Sequence, residues 1–305
     1  MMIPRQLFRS IHANYLLCYS SKKTLLSKLR KKTGYTFVNC KKALEMFDND
    51  LVKAEEWLRE QAQSQGWSQA VKLQSRVTTQ GLIAVATNNN CGAVLEINCE
   101  TDFVARNKKF LELAEIALST VLKHGMSLEL NSPVSKHTLF SDCINALPVG
   151  DGKNLGDHSA LTIGSVGENI NIRRALCINT EQGLHLYGCT HPATINPVAS
   201  FGRYGALLAL KSKQKCANIG PQLCQHIIGM NPTKIGDPAV DEPNNNVEEE
   251  SVMLYQEFLL DSSMSVQQLL RDNKAEIIDF VRFEVGETIE LDTQKQPLES
   301  LETCG

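Results

Sequence analysis

Gly92 to Val104 reads GAVLEINCETDFV, and the fold turns on how this stretch is divided. Gly92 to Asn98 is a short apolar run of β-formers, whereas Lys108 to Leu122 carries Phe110, Leu111, Ala114, Leu118 and Leu122 at helical spacing. Thr101, Asp102, Phe103 and Val104 therefore fall on a junction between a strand and a helix. A large ring at such a junction has two uses. In one, Asp102 caps the helix and Phe103 folds back into the core as a staple. In the other, Phe103 is presented from a loop held by two rigid elements, where binding residues are often placed.

Upstream, Gly81 to Ala86 (GLIAVA) predicts a strand, and Asn88, Asn89 and Asn90 turn it into the next as a hairpin. The unit of hairpin then helix has an echo. Gly205 to Leu210 (GALLAL) repeats Gly92 to Ile97 (GAVLEI), followed by a helix striped by Ile219, Leu223, Ile227 and Ile228 and ended by Gly229. Simple offset sets Gln214, Lys215, Cys216 and Ala217 against Thr101 to Val104. An aromatic needed only to finish the fold would be expected in both copies, so this asymmetry favours binding for Phe103.

Between the copies, His137 to Gly167 is rich in Gly, Pro, Asp and Ser and reads as irregular. Asn231 to Glu250 reads as a second loop, with Glu248 to Glu250 as a solvated acidic run. Val266 to Leu270 and Ala275 to Ile278 read as short helical pieces, and Phe280 to Val285 alternates as a strand.

Toward the N-terminus, Leu25, Leu26 and Leu29 begin a helix that Thr33 and Gly34 end. Cys40 to Phe47 makes a second; Asp48, Asn49 and Asp50 then supply turn and cap for a third, bearing Leu51, Ala54, Glu55 and Leu58. Three short helices suggest a small docking module, and Gln69 to Gln80 reads as a polar linker. Residues 1 to 44 hold ten Lys or Arg and no Asp or Glu, with Ile3, Leu7, Ile11 and Tyr15 at helical spacing. That pattern predicts an organellar import presequence. The expected division is thus a presequence over 1–21, a helical module over 22–68, core subdomains over 69–178 and 179–290, and a flexible tail over 291–305.

The net charge of -3 gives no global drive toward nucleic acid, and no apolar run approaches the roughly 20 residues that span a bilayer. The ten cysteines include no Cys-x-x-Cys pair, which fits buried thiols in a reducing compartment. Cys189 and His191 alone are too few ligands for zinc. A Gly-x-x-x-x-Gly-Lys phosphate loop, a dinucleotide fingerprint, a Gly-x-Ser-x-Gly elbow and His-Glu-x-x-His are all missing, and the seven histidines are scattered. These features predict a binding protein without metal or cofactor, not an enzyme.

Five segments in order resemble translation elongation factor Ts, the guanine-nucleotide exchange factor of elongation factor Tu. They are Thr33-Gly34 with Cys40 to Leu44; Thr101 to Asn107; Val166 to Arg174; Gly202 to Ala206; and Phe280 to Glu287. The resemblance implies an α+β fold: an N-terminal three-helix module like a ubiquitin-associated domain, then two similar α+β subdomains. The presequence points to the mitochondrial branch. The sequence departs from the bacterial pattern at Asn39, where Asp is usual, and shows no long coiled-coil insertion.

By that resemblance the partner is mitochondrial elongation factor Tu, in its nucleotide-free or GDP form, with no direct role for nucleic acid or membrane. Phe103, with Thr101, Asp102 and Val104 around it, would wedge between two helices of the GTPase and disturb its magnesium and phosphate site. Phe37 and Val38 match a position that touches the GTPase from the helical module; their alternative use is packing that module's own core. His191 matches a family histidine that presses near the phosphate-loop side of the partner. Asn171, Arg173 and Arg174 read as strand residues that brace the subdomains. A competing reading is a non-catalytic, chaperone-like protein that binds peptides through the helical module.

Overall fold

The ladder that organises the chain is the hairpin of β1 (Gln80–Asn88) and β2 (Cys91–Cys99), turned at Asn89 and Asn90 in full register from Asn88↔Cys91 to Gln80↔Cys99. Asn89 takes the left-handed conformation at φ 46°, which asparagine tolerates better than most residues. The computed structural model describes residues 25–33, 35, 37–195, 199–212 and 218–288. The expected presequence, the C-terminal tail over 291–305 and the offset positions Gln214 to Ala217 lie outside them. The fold is α+β. Among the described residues no helix is long and apolar enough to cross a membrane.

Three helices come first: α1 (25–33), α2 (Phe37–Met46) and α3 (Leu51–Leu73). Asp50 caps α3 through the amides of Val52 and Lys53. Leu29, Cys40, Ala43, Leu44, Ala54 and Leu58 close a small apolar core between the three. α3 runs further than its apolar spacing suggests. It continues through residues 69–73, read as linker, because its second half packs on a later helix, α7. There Trp67 Nε1 donates to Asp157 Oδ1 at 3.1 Å, and Gly66 lies so close to the Ala160 carbonyl that a Cβ would approach its oxygen to 2.6 Å.

The helices α4 (Asp102–Ala105) and α5 (Lys108–Ser127) follow β2. Residues 137–167 are largely regular, not irregular as expected: β3 (Val134–Phe140), α6 (Ser141–Ala146) and α7 (Leu155–Val166) occupy most of them. The polar residues that suggested a loop are partly caps. Asn154 and Asp157 form a reciprocal capping box, and Gly167 ends α7 at φ 79°.

β4 (Ile170–Thr180), β5 (Leu184–His191), β6 (Thr194–Ile195), β7 (Ser200–Gly202) and β8 (Tyr204–Ser212) come next. α8 (Ile219–Met230) ends at left-handed Asn231, not at Gly229 as expected. Beyond the loop come β9 (Glu257–Phe258), β10 (Asp261–Ser265), α9 (Val266–Asp272) and β11 (Ala275–Glu284). Ala275 to Ile278, read as helical, is therefore strand. Its backbone pairs with Leu210 to Ser212 of β8, and that pairing overrides local propensity.

The strands make one sheet ordered β3-β4-β2-β1-β7-β6, a second ordered β11-β8-β5, and a small ribbon of β9 and β10. Leu82, Ala84, Leu95 and Ile97 face α5, where they meet Phe110, Ala114 and Leu118. Ile83, Val85 and Val94 face the other way, against Leu207, Phe283 and Val285 of the second sheet. That sheet's far side, Ala206, Leu208 and Leu210, packs on Leu223 and Ile227 of α8 and on α9. The layers run helix, sheet, sheet, helix.

This packing explains the echo between GAVLEI and GALLAL. Gly92 and Gly205 both sit where the sheets touch: a Cβ on Gly92 would lie 3.1 Å from Leu207, and one on Gly205 would lie 2.5 Å from Ile83. Ala93 and Ala206, next along each strand, face the helices. Small residues on both faces at matching positions let two neighbouring layers close.

Candidate functional site

The segment that joins β2 to α5 is clamped from both sides. Glu168 accepts from the Thr101 backbone N–H at 3.0 Å and from the Thr101 hydroxyl at 2.7 Å. In return, Glu100 accepts from the Asn169 backbone N–H at 2.7 Å. The two chain segments thus exchange carboxylates across the start of β4. Asn169 extends the clamp by donating to the Arg76 carbonyl at 2.8 Å, which ties in the stretch between α3 and β1.

The first cap of α4 is Thr101 and not Asp102, as expected. Its Oγ1 accepts from Val104 N–H at 3.4 Å, while Asp102 sits in the first turn and pairs with Arg106 at 3.2 Å. That ion pair is exposed, so it contributes little to stability. Val104 is buried and anchors the turn beneath; Phe103 is 82% exposed. The staple reading of Phe103 is therefore wrong: a four-residue helix turns successive side chains through about 100° each, so burying Val104 turns Phe103 outward. Beneath the turn, burial pushes the Cys99 thiol up to about 12, with Glu168 adding to the effect.

His191 lies at the same end of the sheets. The start of β1 pairs with the end of β2, Ile83 pairs with Gly202 at the end of β7, and Tyr204 at the start of β8 pairs with His191. His191 is exposed, and its carbonyl accepts from Arg203 N–H at 2.9 Å. Phe37 and Val38 are 53% and 71% exposed at the first turn of α2, so they are not part of the core formed by Leu29, Cys40, Leu44 and Leu58. Tyr35, just before them, shares a cleft of about 220 Å³ with Lys109, Glu112 and Ile116 of α5. The front of the helical module therefore abuts the helix that Phe103 introduces.

Behind this surface lies a buried charge network whose centre the sequence reading passed over. Glu96, wholly buried, accepts from Arg173 at 3.0 Å, Arg174 at 2.7 Å, Asn98 at 3.2 Å and the Gly286 N–H at 2.8 Å. Register slips between Glu96↔Arg174 and Ile97↔Ile172, leaving Arg173 as the extra residue of a bulge. The bulge lets consecutive arginines reach one carboxylate. Arg174 also meets Glu287 at 2.5 Å and stacks 3.9 Å over the Phe283 ring, which ties β4 to the end of β11. A lone carboxylate inside GAVLEIN was the available signal.

A cleft of about 840 Å³ opens at this end, walled by Asn98, Asn171, Arg173 and Arg203 among others. Its wall is polar and basic, with Gln74, Asn145 and Arg76 beside those residues.

A family model described as "Elongation factor Ts, mitochondrial, N-terminal" matches residues 8–68, and one described as "Elongation factor TS" matches residues 100–250 and 244–287. Among curated relatives, mitochondrial elongation factor Ts of Aedes aegypti is 46% identical over 93% of this chain and 94% of its own length. That of Drosophila melanogaster is 41% identical over 95% of each, and that of Homo sapiens is 42% identical over 88% of this chain and 84% of its own. With the order of its segments, its layered fold and this extent of identity, the chain belongs to the mitochondrial elongation factor Ts family.

Proposed function

We propose that the chain is the guanine-nucleotide exchange factor of mitochondrial elongation factor Tu, acting as a binding protein and not as a catalyst of covalent chemistry. Its place among translation elongation factors of the mitochondrion follows from its family. The N-terminal helices serve as the ubiquitin-associated-like module, and the two sheets with their helices as the two subdomains. The observation that carries the reading is Phe103, 82% exposed on a turn fastened by Glu168 and Glu100. An exposed ring on an ordered turn is set for insertion into a partner, because little entropy is lost on binding.

Exchange follows from reciprocity: a factor that prefers the nucleotide-free GTPase lowers nucleotide affinity by the same ratio. Phe103 inserts near the magnesium and phosphate site, with Thr101, Asp102 and Val104 setting its pose. Phe37, Val38 and His191 widen the contact. Burying one phenylalanine yields about 1.5 to 3 kcal/mol, or roughly ten- to hundredfold in coupling, so the wider contacts supply the rest. In stopped-flow release of fluorescent GDP from the Tu factor, Phe103→Ala slows stimulated release at least about tenfold while circular dichroism is unchanged. Undiminished stimulation by that variant overturns the wedge. Complex formation that persists in excess GDP and magnesium favours the peptide-binding alternative instead.

A further inference from the structure

α8 lies along β5 in matched step. Gly220 rests on the Tyr187 ring, so close that a Cβ would come 2.4 Å from it. Four residues advance a helix by about 6 Å, and two residues advance a strand by nearly the same distance. The next pair up is therefore Cys224 over Cys189. Both residues pack into the apolar layer beneath α8, with the two thiols near enough to influence each other. Opposite Cys189 on β8 is Ala206, a small side chain in the same apolar layer. Both thiols are free.

We propose that Cys189 and Cys224 are a peroxide-reactive pair that closes to a disulfide and fastens α8 to β5. Cys189 is partly exposed and Cys224 is fully buried, so Cys189 meets the oxidant first. Its sulfur attacks hydrogen peroxide and the O–O bond breaks. One oxygen stays as Cys189 sulfenic acid and the other leaves as water with the thiol proton. The Cys224 sulfur then attacks the Cys189 sulfur, and the hydroxyl departs with the Cys224 proton as a second water. Two thiols lose two electrons and one peroxide becomes two waters.

Three other thiols, Cys91, Cys99 and Cys177, differ from this pair. The adjoining Cys224 thiol holds the Cys189 thiol below its ordinary value, in the direction of the reactive thiolate. Burial pushes Cys91 up to about 11 and Cys99 and Cys177 up to about 12. Cys91 and Cys177, which both crowd Gly125, thus form a near-neighbour pair with no exposed member.

The test uses the full chain, reduced, exposed to equimolar hydrogen peroxide, blocked with N-ethylmaleimide and mapped by peptide mass spectrometry. A Cys189–Cys224 cross-linked peptide is expected, with Cys91 and Cys177 recovered alkylated. In parallel, dimedone labels Cys189 only fleetingly in the wild type and persistently in Cys224→Ser. Two results overturn the proposal: no Cys189–Cys224 cross-link in the wild type, or dimedone labelling of Cys189 that is the same with and without Cys224. The wild-type map decides even if the serine variant folds poorly.

Discussion

Glu168 grips Thr101 twice, through its backbone N–H at 3.0 Å and its hydroxyl at 2.7 Å, across 67 residues of sequence. Two hydrogen bonds to one carboxylate hold the residue that caps the Phe103 turn, so the pose of the exposed ring depends on a side chain distant in sequence. Charge-assisted bonds of this kind contribute about 1.5 to 3 kcal/mol each when made to an ionised group.

Glu168→Ala is therefore expected to loosen the turn without emptying a core. Stimulated GDP release should fall about threefold to thirtyfold, and the thermal midpoint should drop as well, since both bonds to Thr101 are lost. In the Phe103→Ala background the same substitution should add little, because the ring it positions is gone. Full additivity in the double-mutant cycle would separate Glu168 from Phe103.

Glu96→Ala should act on stability instead. It leaves Arg173 and Arg174 without their shared carboxylate at the bulge, in a layer where Glu96 itself is wholly buried. Removing one partner of a buried ion pair costs about 3 to 5 kcal/mol, which in a chain of this size lowers the midpoint by about 10 °C. Differential scanning calorimetry reads this directly. A midpoint within a degree or two of the wild type would show that Arg173 and Arg174 find other partners at no cost.

Phe37→Ser with Val38→Ser should leave stability within about 0.5 kcal/mol, as surface substitutions generally do. Affinity for the nucleotide-free Tu factor should fall about tenfold or more, since two apolar side chains are withdrawn from the contact. Surface plasmon resonance supplies the affinity and thermal melts the stability. The reverse pattern, a lower midpoint with unchanged affinity, would place these residues in their own module's packing.

His226 makes the fold acid-sensitive. Its Nδ1 accepts from the Leu259 N–H at 3.2 Å and its Nε2 lies 3.0 Å from Gln256 Oε1, an arrangement that suits the neutral ring. Burial holds its pKa below the ordinary value of 6.5. The unfolded chain therefore takes up this proton at a higher pH than the folded one, and the stability contributed by the neutral ring is lost as pH falls below the unfolded value. Urea midpoints measured from pH 7.5 to pH 5 should drop more steeply for the wild type than for His226→Gln. Parallel curves would assign the acid sensitivity to other groups.

Much of the layered plan was legible because its signals are short in range. The asparagine turn, the alternating strands, the Phe110 to Leu118 stripe and the Ile219 to Ile228 stripe each report a local period, and each element lies where that period places it. The errors have a common origin. Residues 137–167 looked like loop because their polar residues include caps, and Ala275 to Ile278 looked helical because strand pairing with β8 is invisible along the chain. α3 ran past its expected end because its later turns are supported by α7 and not by their own apolar spacing.

By itself the sequence determined the central hairpin, the striped helices that follow each copy, the echo of small residues at Gly92 and Gly205, and the unusual aromatic between a strand and a helix. Only the tertiary structure decided that Thr101 is the cap, that Val104 turns in and Phe103 out, and that Glu168 and Glu100 hold the turn. Periodicity says which side chains share a face of one element. Which face is covered, and by what, depends on contacts such as Thr101 with Glu168 and Glu96 with Arg174 that join residues 67 and 78 positions apart.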